Sequence, residues 1–282
     1  MPDQSVVEVV QTSVQIPTLP RTIERIGALL NDPDVGMPQI AAEITRDPPL
    51  AVQILRIANS AHYGLEEPVV DIKRAAMVLG IRTIYDIVLR AAVITEFQDV
   101  GAPPGFSLEG LWRHSIFTGE LAHTLSGLCQ QPLKMGPSDF YACGLVHDIG
   151  RVILVDSRSE EYAAVLRESR AKGLPSSVME EQRFGFSHSR VGSVVAFMWK
   201  LPTPLQDAIE YHHGPRSRVE ANPTVALVSL CDHIAKKVEE GAPLSPKRLS
   251  EHPACSLLNL PTEALEIVAA NAKASFSKIE VW

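Results

Sequence analysis

Apolar side chains recur every three or four residues along most of this chain, and the alternating runs that mark β-strands are scarce. In the segment 19–31, for example, the apolar positions are Leu19, Ile23, Ile26, Leu29 and Leu30. This spacing places the apolar side chains on one face of a helix. The pattern therefore predicts an all-α protein.

Several helix boundaries are marked by residue type. Asp47-Pro48-Pro49 combines an N-cap residue with proline at the first helical position, so we expect a helix from there to Asn59-Ser60. Periodicity predicts further helices at about 71–79, 82–97, 107–129, 138–156, 159–172, 188–200, 203–213, 224–239 and 262–278.

Two breaks divide the chain. Gly101-Ala102-Pro103-Pro104-Gly105 ends any helix, and it separates an N-terminal helical subdomain, residues 1–105, from a histidine-rich region, residues 106–240. A second break, from Gly241 through Pro253, begins a C-terminal helical extension, residues 241–282. The predicted architecture is a multi-helix bundle with an N-terminal helical subdomain.

Composition narrows the class of protein. Hydrophobic residues make up 45% of the chain and charged residues 21%, with a formal net charge of -7. Such a balance is ordinary for a globular protein, and it argues against direct binding to nucleic acid. No apolar run is long enough to span a membrane, and the N-terminus does not resemble a secretory signal. The four cysteines have no zinc or disulfide spacing, so we expect reduced thiols and a cytoplasmic protein.

Polar residues on apolar helix faces are the strongest functional signal. His114 precedes Leu121 by seven residues and Leu125 by eleven, so it shares their face. The same helical-phase argument predicts that four more side chains point toward the interior: His188, His212, His213 and Asp232. His147 and Asp148 lie side by side inside an apolar run. Burying these groups costs several kcal/mol unless hydrogen bonds, charges or a metal offset it.

Two interpretations of these residues stay open. Each histidine alone could be a neutral core residue that is hydrogen-bonded to a carbonyl or a carboxylate. Together, the histidines and aspartates could hold one or two divalent transition metal ions, and nitrogen with oxygen ligands suits iron, manganese or zinc. A carboxylate could then bridge two ions, and a metal-bound water could attack phosphorus.

The order of these residues resembles the HD superfamily of metal-dependent phosphohydrolases. The resemblance runs through Trp112-Arg113-His114, His147-Asp148-Ile149-Gly150, His188, His212-His213 and Asp232. The first half of the chain is similar to the HDOD family within it. The segments that carry this similarity are Leu19-Pro20, Asp47-Pro48-Pro49-Leu50, Leu55-Arg56-Ile57-Ala58-Asn59-Ser60 and Ala75-Ala76-Met77-Val78-Leu79-Gly80. In the second half, Trp199-Lys200-Leu201-Pro202, leading to Tyr211-His212-His213, is also similar to that family.

This resemblance implies an HD-like helical bundle and a set of site residues. His114, His147, Asp148 and Asp232 match the metal ligands of HD enzymes, with Asp148 the candidate catalytic carboxylate. His188, His212 and His213 match positions that bind a second metal in some relatives. Arg151 stands where relatives often carry lysine, so it is a candidate phosphate contact, although a surface charge is the simpler interpretation.

The resemblance also implies a bacterial signalling or regulatory role with a protein partner and a nucleotide-like ligand. Many HDOD proteins have lost metal ligands, whereas this chain keeps a nearly full set. Unlike the related HD-GYP phosphodiesterases, it carries Gly214-Pro215-Arg216 after the paired histidines and no Gly-Tyr-Pro sequence downstream. We therefore expect a regulatory protein with little or no turnover. The alternatives are an active phosphohydrolase that cleaves a nucleotide or cyclic dinucleotide, and a metal-free scaffold.

Overall fold

The helices of this chain are defined in a computed structural model that describes residues 4–12, 25–26, 29, 35–60, 63–199 and 201–281. In chain order they are α1 (Gln4–Thr12), α2 (Met37–Thr45), α3 (Pro48–Ala58), α4 (Ile72–Leu79), α5 (Ile81–Glu96), α6 (Leu108–Ser126), α7 (Pro137–Val146), α8 (Ile149–Ser157), α9 (Ser159–Lys172), α10 (Ser176–Phe184), α11 (His188–Met198), α12 (Thr203–Tyr211), α13 (Arg216–Val219), α14 (Pro223–Glu239), α15 (Pro246–Ser250), α16 (Pro253–Leu257) and α17 (Thr262–Ser277).

The all-α prediction is confirmed, because the described residues contain helices, turns and bends and no strand. None of the described helices is both long enough and apolar enough to cross a membrane. Most of the helix predicted at 19–31 lies outside the described residues, although Ile26 and Leu29 are helical. The motif Leu19-Pro20 and the residue Lys200 also lie outside them.

The helix predicted at 138–156 is wrong in one respect, because it is two helices. The helical hydrogen bonding stops at Val146 and restarts at Ile149, so His147 and Asp148 occupy the break between α7 and α8. The Asp148 carboxylate caps no backbone N–H of α8, although aspartate is a favoured N-cap residue. The Asp148 side chain is therefore available for contacts with residues outside the first turn of the α8 backbone. The sequence also did not predict α1, α2, α10 and the short helices α13, α15 and α16.

The chain divides into two compact units. Unit 1 comprises residues 1–16 and 99–276, and unit 2 comprises residues 17–98 and 277–282. The histidine-rich region, most of the C-terminal segment and α1 therefore belong to the same unit. The three-part division at residues 105 and 240 stays a prediction about folding units.

Unit 2 packs the helices α2 to α5 against one another. The predicted start of α3 is confirmed, since Pro48 is its first residue and the Asp47 carboxylate accepts the backbone N–H of Leu50 at 3.2 Å. Just after α3, the Asn59 side chain donates to the Val69 carbonyl and accepts the Val69 N–H, both at 2.8 Å. This pair of bonds ties the segment before α4 to the end of α3.

Unit 1 is held together by close contacts between helix backbones. A Cβ atom on Gly144 of α7 would lie 2.6 Å from the Cα of Gly119 on α6. A Cβ atom on Gly150 of α8 would lie 2.0 Å from the carbonyl oxygen of His188 on α11. Only a residue without a side chain permits such approaches. Glycine therefore brings α6, α7, α8 and α11 close enough for their polar side chains to meet.

We predict that Gly150→Ala destabilises the protein, because the added methyl group has no room unless α8 and α11 separate. Overpacking of this kind costs about 1–3 kcal/mol, and strict backbone contact places the cost at the upper end. Thermal or urea unfolding measures the effect. Gly101→Ala is the control, since no atom lies within 4 Å of its added Cβ. Equal stability of the two variants would contradict this account of the packing.

Candidate metal centre

Five parts of unit 1 deliver polar side chains to one place, which we call the histidine–aspartate centre. Its members are His114 on α6, His147 and Asp148 between α7 and α8, His188 at the start of α11, His212 and His213 just after α12, and Asp232 on α14. All seven residues predicted as metal-ligand candidates are therefore brought together in one region.

Burial of these side chains matches the helical-phase argument with one exception. The exposed fraction of the side chain is at most 6% for His114, His147, Asp148, His188, His212 and Asp232. It is 23% for His213. The prediction that His213 points inward is therefore only partly right, because α12 ends at Tyr211 and the helical phase does not continue to His213.

The seven side chains form two groups, and within each group one ligand atom per residue lies within 4.8 Å of the others. One group contains His114, His147 and Asp232, and the other contains Asp148, His188, His212 and His213. The groups adjoin, since His147 Nε2 lies 3.8 Å from Asp148 Oδ1 and 3.6 Å from Asp232 Oδ1. Each of these two groups contains the ligand types that could hold one metal ion.

Two of the imidazoles are fixed in orientation by backbone carbonyls. The Nδ1 of His147 donates to the Gly144 carbonyl at 2.7 Å, and the Nδ1 of His212 donates to the Ile209 carbonyl at 2.8 Å. A carbonyl only accepts, so the proton of each neutral imidazole must be on Nδ1. Each Nε2 then presents a lone pair to the centre.

The other two inward imidazoles are fixed by carboxylates. The Nδ1 of His188 donates to Glu180 at 2.6 Å, and the Nδ1 of His114 donates to Glu239 at 3.0 Å. Glu180 also accepts the backbone N–H of His188 at 2.7 Å. Histidines that ligate metals generally donate their other ring N–H to a carbonyl or a carboxylate, so all four imidazoles have the orientation of ligands.

Three buried polar atoms at the middle of the centre indicate whether these residues suit a bound cation. Asp148 Oδ1, His188 Nε2 and His212 Nε2 make no hydrogen bond of regular geometry among the described residues. They nevertheless converge, because Oδ1 lies 3.1 Å from His188 Nε2 and 3.4 Å from His212 Nε2. His212 holds its proton on Nδ1, so its buried Nε2 has no donor to accept from, and such an atom is costly. A carboxylate and two imidazole nitrogens that face one point suit a divalent transition metal, so these buried groups could hold one.

Charge is distributed unevenly among the imidazoles. Burial disfavours charged His114, but the carboxylates of Asp232 and Glu239 outweigh burial and raise its pKa to about 9. In the same way, burial opposes the charge on His188, and the carboxylates of Glu180 and Asp148 raise its pKa to about 9. Burial instead lowers the pKa of His212 to about 4. Without a metal, protons on His114 and His188 compensate the buried carboxylates.

Each aspartate of the centre also binds a cation from its own helix. The outer oxygen of Asp148, Oδ2, accepts from Arg151 Nη1 at 3.1 Å, and Asp232 Oδ2 accepts from Lys236 Nζ at 2.9 Å. Burial raises the pKa of both aspartates, but neighbouring positive groups hold each pKa well below its usual range. Both carboxylates are therefore ionised and present their inner oxygens to the histidines.

Arg151 is not a solvated surface charge, which corrects the simpler interpretation of that residue. Its side chain is 20% exposed, and besides binding Asp148 its Nε donates to the Tyr162 hydroxyl at 3.1 Å. Tyr162 in turn donates to Glu180 at 3.1 Å. Asp148, Arg151, Tyr162, Glu180 and His188 therefore form a closed ring of polar contacts.

Four residues that contact the centre were not found from the sequence. Lys236 and Glu239 follow Asp232 by four and seven residues on α14, so helical spacing places them on its face. That signal was present. Tyr162 on α9 looks like an ordinary core residue beside Val165 and Leu166, and Glu180 on α10 looks like an ordinary charged residue, although it is completely buried.

Comparison with family sequence models matches residues 16–215 of this chain to the HDOD domain. A curated protein from Treponema pallidum (strain Nichols), named only as uncharacterized, is 25% identical over 218 residues. That match covers 77% of this chain and 41% of the other. The chain thus spans less than half the length of the curated relative.

Solved structures show the same fold over nearly the whole chain. An HDOD domain protein of unknown function from Geobacter sulfurreducens has a TM-score of 0.85 and 23% identity, covering 99% of this chain and 97% of that one. A protein from Shewanella amazonensis SB2B, provisionally named a phosphohydrolase, has a TM-score of 0.76 and 20% identity, covering 98% of both chains. At these identities the likeness concerns the fold alone.

We predict that metal uptake weakens as pH falls. His114 and His188 hold protons in the metal-free centre, since the pKa of each is about 9, and a metal must displace them. Apparent affinity for Mn²⁺ should therefore drop between pH 8.5 and pH 6.5. Calorimetry in buffers of different ionisation enthalpy measures the protons released. Binding that is independent of pH and releases no proton would contradict these protonation states.

We also predict that Glu180→Gln weakens metal binding by roughly 10–100-fold, the usual cost of removing a partner that orients a ligand. The amide cannot supply the negative charge that faces the His188 ring. Titration with Mn²⁺ measures the change. Glu181→Gln is the matched control, because that neighbouring side chain is exposed. If both variants bound metal as the wild type does, Glu180 would have no role in the centre.

Proposed function

Because this chain belongs to the HDOD domain family, we propose that it is a bacterial regulatory protein whose histidine–aspartate centre binds metal and has little or no turnover. The observation that carries this proposal is the orientation of the four imidazoles. Each holds Nδ1 against a carbonyl or a carboxylate, and each directs Nε2 toward an aspartate of the centre.

The donor set supports a divalent transition metal such as iron, manganese or zinc. It consists of imidazole nitrogens and carboxylate oxygens, and the four cysteines lie elsewhere as free thiols. One ion would be held by His114, His147 and Asp232, and a second by Asp148, His188 and His212, with His213 at its exposed side. Asp148 would also lie close to the first ion's ligands, because its Oδ1 is 3.8 Å from His147 Nε2.

A metal in this centre would supply a Lewis acid and an activated water. The chain itself would fix the imidazoles, keep Asp148 and Asp232 ionised and exclude bulk water from the buried side. Arg151 would hold the outer oxygen of Asp148 and orient that carboxylate. These roles support metal binding, and they do not require a reaction.

An active metal-dependent phosphohydrolase is the second candidate. It is favoured by the completeness of the ligand set and by Arg151, which could contact a phosphate of a nucleotide or cyclic dinucleotide as well as Asp148. Asp148 would then be the catalytic carboxylate.

A protein partner and a cytoplasmic location complete the proposal. The exposed side chains of Val70, Met77 and Val78 on unit 2 support a partner surface, since exposed apolar groups often mark binding sites. Free cysteines are consistent with a reducing compartment. No direct contact with nucleic acid is proposed, because the net charge is -7.

We predict that protein purified without a histidine tag holds about one or two transition metal ions per chain and that Asp148→Asn loses most of them. Elemental analysis makes the measurement, with Asp99→Asn, at an exposed aspartate, as the control. We expect a panel of phosphate mono- and diesters to show little hydrolysis.

Other outcomes of these assays would overturn the proposal in different ways. Turnover that disappears in Asp148→Asn and persists in Asp99→Asn would establish the second candidate. Wild-type protein that takes up no metal, with His147→Ala as stable as the wild type, would leave only a scaffold.

A further inference from the structure

A cavity of about 320 Å³ lies beside the histidine–aspartate centre and opens onto His114. Its lining combines two kinds of side chain: the cations Arg151, Arg170 and Lys236, and the apolar groups of Phe106, Leu111 and Leu166. All of these residues belong to unit 1. The cavity therefore offers both positive and apolar groups to a ligand.

The cations keep donors available for a ligand. Arg151 uses Nη1 for Asp148 and Nε for Tyr162, so its Nη2 is left to face another acceptor. Arg170 binds the Gly105 carbonyl through Nη2, which holds it against the loop before α6. A guanidinium has five N–H donors, so neither arginine is saturated by these contacts.

Charge in the cavity depends on the state of the centre. Among the lining residues the one carboxylate is Glu239, which is bound to His114. Arg151 and Lys236 are balanced by Asp148 and Asp232. One divalent ion that displaced the protons of His114 and His188 would leave the net charge of the centre unchanged, whereas a second ion would add two positive charges. Uptake of both ions would then make the cavity more attractive to an anion, and by linkage the anion would favour the metal.

Size and shape restrict what the anion can be. About 320 Å³ is near the lower limit for small-molecule pockets, and this volume matches a ligand of about the size of one nucleotide. The Phe106 and Tyr162 rings form an edge-to-face contact with 5.9 Å between their centroids, and this contact helps to fix the Phe106 ring. A fixed aromatic side chain suits a ring carried by the phosphate.

We propose that this cavity binds a small phosphomonoester of nucleoside monophosphate size, with its phosphate on Arg151, Arg170 and Lys236 and its ring against Phe106. The proposal deepens the proposed function, on which its dependence on metal rests. It selects a mononucleotide over a cyclic dinucleotide. Hydrogen bonds from these cations to a phosphate are charge-assisted, and one arginine can donate two parallel hydrogen bonds to the same phosphate.

Calorimetric titration tests the proposal with inorganic phosphate, GMP and cyclic di-GMP as probes, on manganese-treated and chelator-treated protein. Metal content is measured in the same samples. We expect GMP to bind manganese-treated protein more tightly than chelator-treated protein, and cyclic di-GMP to bind at least tenfold more weakly than GMP. Arg170→Gln should weaken GMP binding by about tenfold or more.

Two control variants distinguish binding of GMP in the cavity from a general attraction of GMP to positive charge. Arg167→Gln removes an exposed arginine from the same helix, α9, and should leave GMP binding unchanged. Phe106→Leu keeps an apolar side chain but removes the ring, so it should weaken GMP binding and leave binding of inorganic phosphate unchanged.

The outcomes distinguish this inference from the proposed function. Protein that contains manganese but does not bind GMP, or in which Arg170→Gln and Arg167→Gln behave alike, would overturn the cavity alone. Tighter binding of cyclic di-GMP than of GMP would overturn the size argument and with it the proposed ligand. GMP binding that needs Arg170 in protein that takes up no metal would support the cavity and overturn the metal centre.

Discussion

The ionised carboxylates of Asp148 and Asp232 are the constraint on which the rest of unit 1 depends. Two negative charges in a protein interior are costly unless each is surrounded by positive or hydrogen-bonding groups. In each aspartate, the two carboxylate oxygens have different partners. One oxygen accepts from a cation three or four residues later in the chain, and the other faces the histidines.

This division between the oxygens explains why the surrounding helices must be so close. Cations one turn away on α8 and α14 reach the outer oxygens locally, whereas the histidines come from other helices. Their imidazoles are short, so the backbones must approach one another. The close approaches of Gly144 to Gly119 and of Gly150 to His188 permit this. Compensation of the two buried charges therefore depends on the close packing of the helices.

Helical phase predicted much of this arrangement from the sequence. It placed His114, His188 and Asp232 in the interior, because each shares a helix face with apolar residues. It was less successful where a helix ends. The apolar run around His147 and Asp148 continues on both sides, so nothing in the pattern revealed the break between α7 and α8. His213 follows the end of α12, where the helical period no longer applies.

Residues that act on the ligand candidates were harder to predict than the candidates themselves. Glu180 looks like an ordinary charged residue on a polar helix, and only the position of α10 against α11 makes it the partner of His188. Lys236 and Glu239 look like a solvated helix terminus until α6 is packed against α14. Packing between distant parts of the chain decides these roles, and a local pattern cannot contain it.

The break between α7 and α8 also sets a length scale. His147 belongs to one group of ligand candidates and Asp148 to the other, yet they are consecutive residues. A trans peptide holds neighbouring Cα atoms about 3.8 Å apart, whatever the helices around them do. One peptide bond therefore limits the distance between the two groups of ligand candidates. Small movements of the surrounding helices could loosen either group, but they could not separate His147 from Asp148.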